Sequence, residues 1–471
     1  MYIDAQGVSR YWRRRSRAVT GHPLARATVV HSFSANHGTI DALSAYPATP
    51  PISGINGMTR QAAPPTHRLR CPECDALCHL PTIGPRQSAF CPRCSARLYQ
   101  GRDWPLPRLA ALAFTLMVLL PLALFQPLLQ IHLLGVTIQV SVWQGIEQMA
   151  MQGEILTAGM VAFCAIVAPL LLPSLLLALY LGQRRHLNLR PLLLLLSLLR
   201  PWIMLDVYLI ALTVAAIKVR EYAVVGPGPA LLAYIVATLL TLLLLIHLNI
   251  EQLWRRLYPQ PPQTAPDSTL LLCHACRHTA PADSHGHCRR CHLPLHCRRP
   301  YSLQKTWALL LAAIVMLLPA NLLPISILYI NGTRIEDTIL SGIASLAQGG
   351  NLPIAAIVFI ASIAVPFIKV AVLLFLLSGI QRHQAHNPIA RMRLLRLVIW
   401  IGRWSMLDLF VIALMMSLID RDQLFSFTMG AAAFYFGAAV FLTMLAVEWL
   451  DSRLIWDAHA TTDANDTEYA Q

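Results

Sequence analysis

Eight long apolar runs dominate the chain, and none shows the polar face of an amphipathic soluble helix. They cover about residues 108–130, 154–182, 192–217, 229–250, 304–328, 352–380, 394–419 and 428–450. Each is long enough to cross a hydrocarbon core of about 30 Å at 1.5 Å per residue, so eight transmembrane helices are predicted. Between the first two runs, LLGVTIQVSVW alternates apolar and polar positions, as does part of LYINGTRIEDTIL between the fifth and sixth. That period predicts short extracytoplasmic strands, a small sheet beside each group of four helices.

Composition agrees. Hydrophobic residues make up 56% and charged residues 13% of the 471 positions, and the mean hydropathy is +0.54, more than a soluble protein of this length hides in its cores. The net charge of +14 would point to nucleic acid in a soluble chain. Here Arg and Lys gather between apolar runs, so topology accounts for them and no nucleic-acid partner is expected. QRRHLNLR (183–190), QLWRRLYP (252–259) and QRHQAHNPIARMRLLR (381–396) are short basic loops assigned to the cytoplasm. The opposite loops are poor in Lys and Arg, apart from Lys218 and Arg220. Both termini and both cysteine clusters are then expected on the cytoplasmic side. The basic start MYIDAQGVSRYWRRRSR lacks an apolar stretch after it and so is no secretory signal.

The chain repeats itself. Pro121 matches Pro319, Pro127 matches Pro324, Gly145-Ile146 matches Gly342-Ile343, Gly153 matches Gly350, and Pro169 matches Pro366. Trp202-Ile-Met-Leu-Asp206 matches Trp404-Ser-Met-Leu-Asp408. The copies run in the same order, so the repeat is parallel. The expected organisation is a disordered basic extension (1–68), a metal ribbon (69–100), a four-helix membrane unit (101–252), a linker (253–268), a second ribbon (269–299), a second four-helix unit (300–452) and a tail (453–471).

Each ribbon carries two Cys-x-x-Cys knuckles: Cys71, Cys74, Cys91 and Cys94, then Cys273, Cys276, Cys288 and Cys291. At this spacing four thiolates surround one ion and close its coordination sphere, a structural site. Zinc is the first choice; iron in a rubredoxin-like site shares the ligand set. Disulfides do not fit a reducing cytosol. Cys78 and Cys297 lie beside the clusters as alternate ligands, and metal binding is expected to supply each ribbon's folding energy.

Ionisable groups at bilayer depth need a partner or a wet cavity. Lys369 and Asp408 both fall near the midplane of the sixth and seventh runs. Ser362 lies two helical turns before Lys369, Ser405 lies three residues before Asp408, and Thr443 reaches similar depth in the eighth run. In the first half Asp206 and Thr241 repeat Asp408 and Thr443, but Leu172 replaces Lys369. Asp206 therefore lacks a cation unless the other half provides one. The group reads either as a structural ion pair or as a polar relay.

Walker A, GxSxG, HExxH and dinucleotide motifs are all missing, so the chain is not expected to be an enzyme. The doubled ribbons, the doubled W-x-M-L-D motif and PFIKV resemble the paraquat-inducible protein A family, the PqiA/LetA group of Gram-negative inner-membrane proteins, closest to its LetA-like branch. The resemblance covers about residues 68–452. It implies a lipid-transport subunit that loads or unloads a periplasm-spanning MCE-domain tunnel of the LetB/PqiB type. It also implies a proton-coupled polar network of Ser362, Lys369, Ser405, Asp408 and Thr443, with Asp206 matching in the first half. A membrane oxidoreductase with iron ribbons and a non-transporting scaffold are the rival readings.

Overall fold

The computed structural model describes residues 25–26, 28–31, 67–80, 87–100, 104–133, 136–219, 224–261, 265–330, 333–350, 352–383, 387–419 and 425–459. Two compact units divide the chain: residues 1–102 with 260–273 and 277–295, and residues 103–259 with 274–276 and 296–471.

The smaller unit holds short antiparallel hairpins, His67–Arg70 with Leu77–Leu80 and Gln87–Phe90 with Arg97–Tyr99. Leu271–Leu272 pairs with Thr279–Ala280 in the same sense. Arg70 ties the two cysteine segments together: its Nε donates to the Leu270 carbonyl at 2.8 Å and its backbone N–H to Thr279 Oγ1 at 3.0 Å. The extension expected to be disordered needs one correction. Ala25–Arg26 adds to Leu77–Leu80 in parallel, and Thr28–His31 adds to Gln87–Phe90 antiparallel. The physical reason is an open edge on each hairpin, which an extended Thr-Val-Val run can complete. The rest of that extension lies outside the described residues.

In the larger unit the first repeat comprises helices α1 (Leu106–Phe125), α2 (Val142–Met151), α3 (Ile155–Ala162), α4 (Ala168–Arg184), α5 (Arg190–Leu199), α6 (Leu205–Val219), α7 (Leu231–His247) and α8 (Ile250–Leu257). The second repeat comprises α9 (Ser302–Leu322), α10 (Ile339–Gln348), α11 (Leu352–Phe359), α12 (Val365–Gln381), α13 (Pro388–Gly402), α14 (Leu407–Ile419) and α15 (Ala432–Trp449). Among the described residues seven helical runs are long and apolar enough to span a membrane, and the pair α7 and α8, bent by 58°, makes an eighth. The fold is thus a polytopic helical membrane protein of two tandem units. The expected linker is helical as far as Leu257.

Each repeat carries a three-stranded antiparallel sheet. The first joins β1 (Leu129–Leu133), β2 (Val136–Val140) and β3 (Val224–Pro227) in the order β2-β1-β3. The second joins β4 (Ser326–Ile330), β5 (Thr333–Asp337) and β6 (Phe425–Met429) in the order β5-β4-β6. The hairpins are the ones the alternation predicts; the third strands, which follow α6 and α14, were not expected. Short helices α2 and α10 were also unexpected, and both begin with a reciprocal capping box, Ser141 with Gln144 and Thr338 with Ser341. The matched glycines follow those helices: Gly153 and Gly350 take φ of +94° and +82°, conformations that a side chain resists.

A second glycine pair locks the third strands. The Gly228 N–H donates to the Leu128 carbonyl at 2.9 Å, and that of Gly430 to Ile325 at 3.0 Å. A Cβ on Gly228 would stand 2.3 Å from the Pro127 carbonyl oxygen, and one on Gly430 1.9 Å from that of Pro324. Backbone therefore approaches backbone where α7 and α15 begin. The repeats meet through α6 and α14, with Tyr208 against Phe410 at 5.2 Å between ring centroids and Tyr208 against Tyr234 at 5.9 Å. All three rings are buried.

Gly430→Ala should destabilise the folded protein by about 1–3 kcal/mol through overpacking against backbone. A thermal melt in detergent checks this, and a melt equal to the parent's contradicts the close approach.

Candidate functional site

The cysteine segments build themselves from one repeated turn. In every knuckle the first cysteine accepts a backbone hydrogen bond from the residue after the second: Asp75 to Cys71, Ser95 to Cys91, Arg277 to Cys273 and His292 to Cys288, at 2.8–3.0 Å. Those four donors are left-handed, with φ between +54° and +62°. The turn aims both sulfurs of a knuckle to one side, and two facing knuckles make a cage. Sγ separations are 3.5 Å for Cys71–Cys94, 3.6 Å for Cys74–Cys91 and 3.5 Å for Cys273–Cys291. Within each group of four, all sulfurs lie within 4.8 Å of one another and all are buried. Metal–sulfur bonds of about 2.3 Å in a tetrahedron require sulfur–sulfur edges of roughly 3.8 Å, so the residues fit such an ion. Hydrogen bonds to Cys74, Cys91 and Cys94, with burial, push the Cys71 thiol far above its ordinary range. Four thiolates can share this space only when a cation replaces their protons. Cys78 is buried with its sulfur 4.0 Å from that of Cys91, whereas Cys297 is exposed.

The membrane unit concentrates its polar side chains where its helices break. In each repeat one π-turn interrupts the second span, Phe163–Val167 between α3 and α4 and Ile360–Ala364 between α11 and α12. A 3-10 turn interrupts the third, Arg200–Trp202 after α5 and Arg403–Met406 after α13. Such breaks loosen the backbone ladder and often mark function. Ser362 sits within the second π-turn and Ser405 within the second 3-10 turn. These two turns pack on each other, and α12 and α15 pack on the 3-10 turn. Ser362, Lys369, Ser405 and Thr443 are all buried, Lys369 to 2% exposure. Thr443 donates to the Val440 carbonyl at 2.8 Å. The Lys369 ammonium and the hydroxyls of Ser362 and Ser405 have no hydrogen-bond partner among the described residues. Lys369 lies against Gly402, where a Cβ would come within 3.4 Å of its Cε and Nζ. Asp408 begins the first turn of α14, and its side chain lies outside the described residues.

Asp206 does have a cation, and the other repeat provides it. Arg403 Nη2 donates to both carboxylate oxygens at 3.0 and 3.2 Å and to the Ile203 carbonyl at 3.1 Å. Arg403 precedes Trp404 where the first repeat has Pro201 before Trp202. An arginine within the seventh apolar run was a signal by the same rule that marked Lys369, but matching motif to motif hid it behind the proline. Trp202 itself bridges the repeats, 5.7 Å from Phe163 and 5.3 Å from Phe441 between centroids.

Beside this pair opens a cleft of about 370 Å³ between the repeats. Arg200 lines it from the first repeat; Lys369, Arg403 and Glu448 line it from the second, on walls that are otherwise mostly apolar. Arg200 and Gly402 occupy equivalent repeat positions. A single site thus holds charge from both copies in an otherwise mostly apolar bundle.

The sequence profile described as Paraquat-inducible protein A matches residues 106–258 and 303–460. The lipophilic envelope-spanning tunnel protein A of Escherichia coli is 57% identical over 395 residues, 84% of this chain and 92% of that protein. A probable intermembrane transport protein of Haemophilus influenzae is 44% identical over 406 residues, 84% of this chain and 98% of the relative. The intermembrane transport protein PqiA of Escherichia coli is 32% identical over 406 residues, 83% of this chain and 95% of that one. No solved structure matches.

Removing Arg403 alone should cost more than removing the ion pair. Arg403→Met leaves a carboxylate without its cation and, because both side chains are about a third exposed, is expected to destabilise by roughly 1–3 kcal/mol. Adding Asp206→Asn should recover much of that loss in a detergent melt. Additive losses would show that the two side chains do not interact.

Proposed function

This chain belongs to the paraquat-inducible protein A family, and from that premise we propose that it is a lipid-handling, multi-pass inner-membrane subunit of an envelope transport system. Its relatives bear the names of intermembrane transport and envelope-spanning tunnel proteins, which supports the reading. The partner would be a periplasm-spanning MCE-domain protein of the LetB/PqiB type, with lipids passing between the two. Both termini and both cysteine ribbons would face the cytoplasm, where each ribbon holds one structural zinc ion and has no part in bond-making.

The observation that carries this reading is Lys369: buried, unpartnered among the described residues, and lining a cleft between two tandem units at a pair of helix breaks. An ammonium held this way is costly unless its charge is used. In the proposed cycle Asp408, one helix away in sequence, holds Lys369 when ionised. Protonation of Asp408 releases the lysine, and the packing of α12 against the 3-10 turn changes with it. Ser362, Ser405 and Thr443 supply alternative hydrogen-bond partners, so that Lys369 need not be stranded in either state. The first repeat, with Leu172 where Lys369 stands in the second and with Asp206 already bound by Arg403, would serve as the fixed partner.

Two measurements test these statements. Lys369→Ala and Asp408→Asn should each abolish lipid transfer in a reconstituted assay with the tunnel partner while membrane levels stay at the parent's value; normal transfer by both variants rejects the relay. Elemental analysis of the purified protein should find two zinc per chain, falling to one in Cys71→Ser. Iron in that position would overturn the zinc assignment and favour a redox role.

A further inference from the structure

We propose that Arg403 and Lys369 form an anion subsite that grips the phosphate of a lipid headgroup inside the inter-repeat cleft. The proposal rests on the lipid-handling reading and adds which part of the lipid is held and by which atoms.

The argument begins with donors. A guanidinium and an ammonium can only donate hydrogen bonds. Arg403 spends Nη2 on Asp206 and on the Ile203 carbonyl, which fixes the plane of its guanidinium. Its Nε is buried and has no partner among the described residues, and the same holds for Lys369 Nζ. Both residues line the cleft. A buried donor left unmade costs about 1–3 kcal/mol, more when charged, so these atoms call for an acceptor. The acceptor that suits two cationic donors is an anionic oxygen group, and phosphate offers several oxygens at once.

Charge and shape then limit the ligand. The cleft wall carries three cations, Arg200, Lys369 and Arg403, against Glu448 on the wall and Asp206 behind Arg403, which leaves one positive charge in excess. Leu245, Ile399 and Met444 supply apolar wall, which suits the glycerol and first acyl carbons of a lipid and not a hydrated free ion. A volume of about 370 Å³ falls at the small end of ligand sites and admits a headgroup with the root of its chains, leaving the chains to run out between helices. A phosphate entering a bilayer interior unaccompanied would be prohibitively costly; cations already in place offset that cost. Gly402 contributes by omission. With no Cβ it lets the Lys369 ammonium lie against α13, and the equivalent position of the first repeat adds Arg200 to the same wall.

The test uses full-length protein in maltoside detergent with a photocrosslinking amino acid at Ile399. The probes are dioctanoyl-phosphatidylglycerol, dioctanoylglycerol and inorganic phosphate, and adducts are read by intact mass. The parent should label with the phospholipid about tenfold or more over the diacylglycerol, and millimolar inorganic phosphate should not compete. The paired variant Arg403→Gln with Asp206→Asn, which strands no carboxylate, and the separate variant Lys369→Met should each lose about tenfold in phospholipid labelling while keeping a cooperative melt and unchanged metal content. Equal labelling by phospholipid and diacylglycerol, or full labelling in both variants, overturns the subsite but leaves lipid handling standing. Competition by inorganic phosphate overturns the lipid as the source of the anion. Labelling by neither lipid counts against the lipid reading of the cleft itself.

Discussion

Ionised groups inside a bilayer-spanning bundle must be answered by the opposite charge, because neither lipid nor packed side chains can do so. Asp206 is answered by Arg403, and the answer comes from the other repeat. This pairing joins the two four-helix units beside the packing of α6 on α14. It sits where both third spans break into 3-10 turns, and the aromatic contacts of Tyr208 with Phe410 and Trp202 with Phe441 lie on the same boundary. The cleft opens along that boundary too, so charge, breaks and cavity share one seam.

The two copies differ at residues that line the cleft. α1 packs on both α4 and α7, whereas α9 packs mainly on α15. The second repeat therefore leaves α12 less enclosed by its own first helix, and α12 carries Lys369. At the equivalent place in the first repeat stands Leu172, fully buried and apolar. Arg200 and Gly402 show the same exchange at another pair of equivalent positions: one copy brings a charge to the cleft, the other brings the space for one.

Much of this was legible from residue order alone. Long apolar runs have no soluble interpretation, and Cys-x-x-Cys spacing constrains its chemistry tightly, so the doubled ribbon-and-helix plan and the membership of the family could be read directly. The hairpin strands announced themselves by alternation. β3 and β6 did not, because VVGP and FSFTM are too short to establish a period and each finds its partner about a hundred residues away. The π-turns were silent as well: Pro169 and Pro366 flag a perturbation, yet proline is ordinary in membrane helices and does not say which kind. Arg403 was visible and passed over. Its repeat counterpart is a proline, so comparison between copies, which exposed Lys369, concealed the residue that neutralises Asp206.

The glycine-locked strands carry a mechanical consequence. Gly228 and Gly430 weld the starts of α7 and α15 to the backbone that leaves α1 and α9. A helix fixed at its start swings farthest at its far end, where α15 is held by Ser302 Oγ donating to the Trp449 carbonyl at 2.8 Å. For the 17 residues of α7, about 25 Å long, a tilt of about 10° at the weld sweeps the far end through roughly 4 Å. The cleft lies toward those far ends, with Leu245 near the close of α7 and Glu448 near the close of α15. The width of the cleft beside its cations therefore follows the tilt of these two helices.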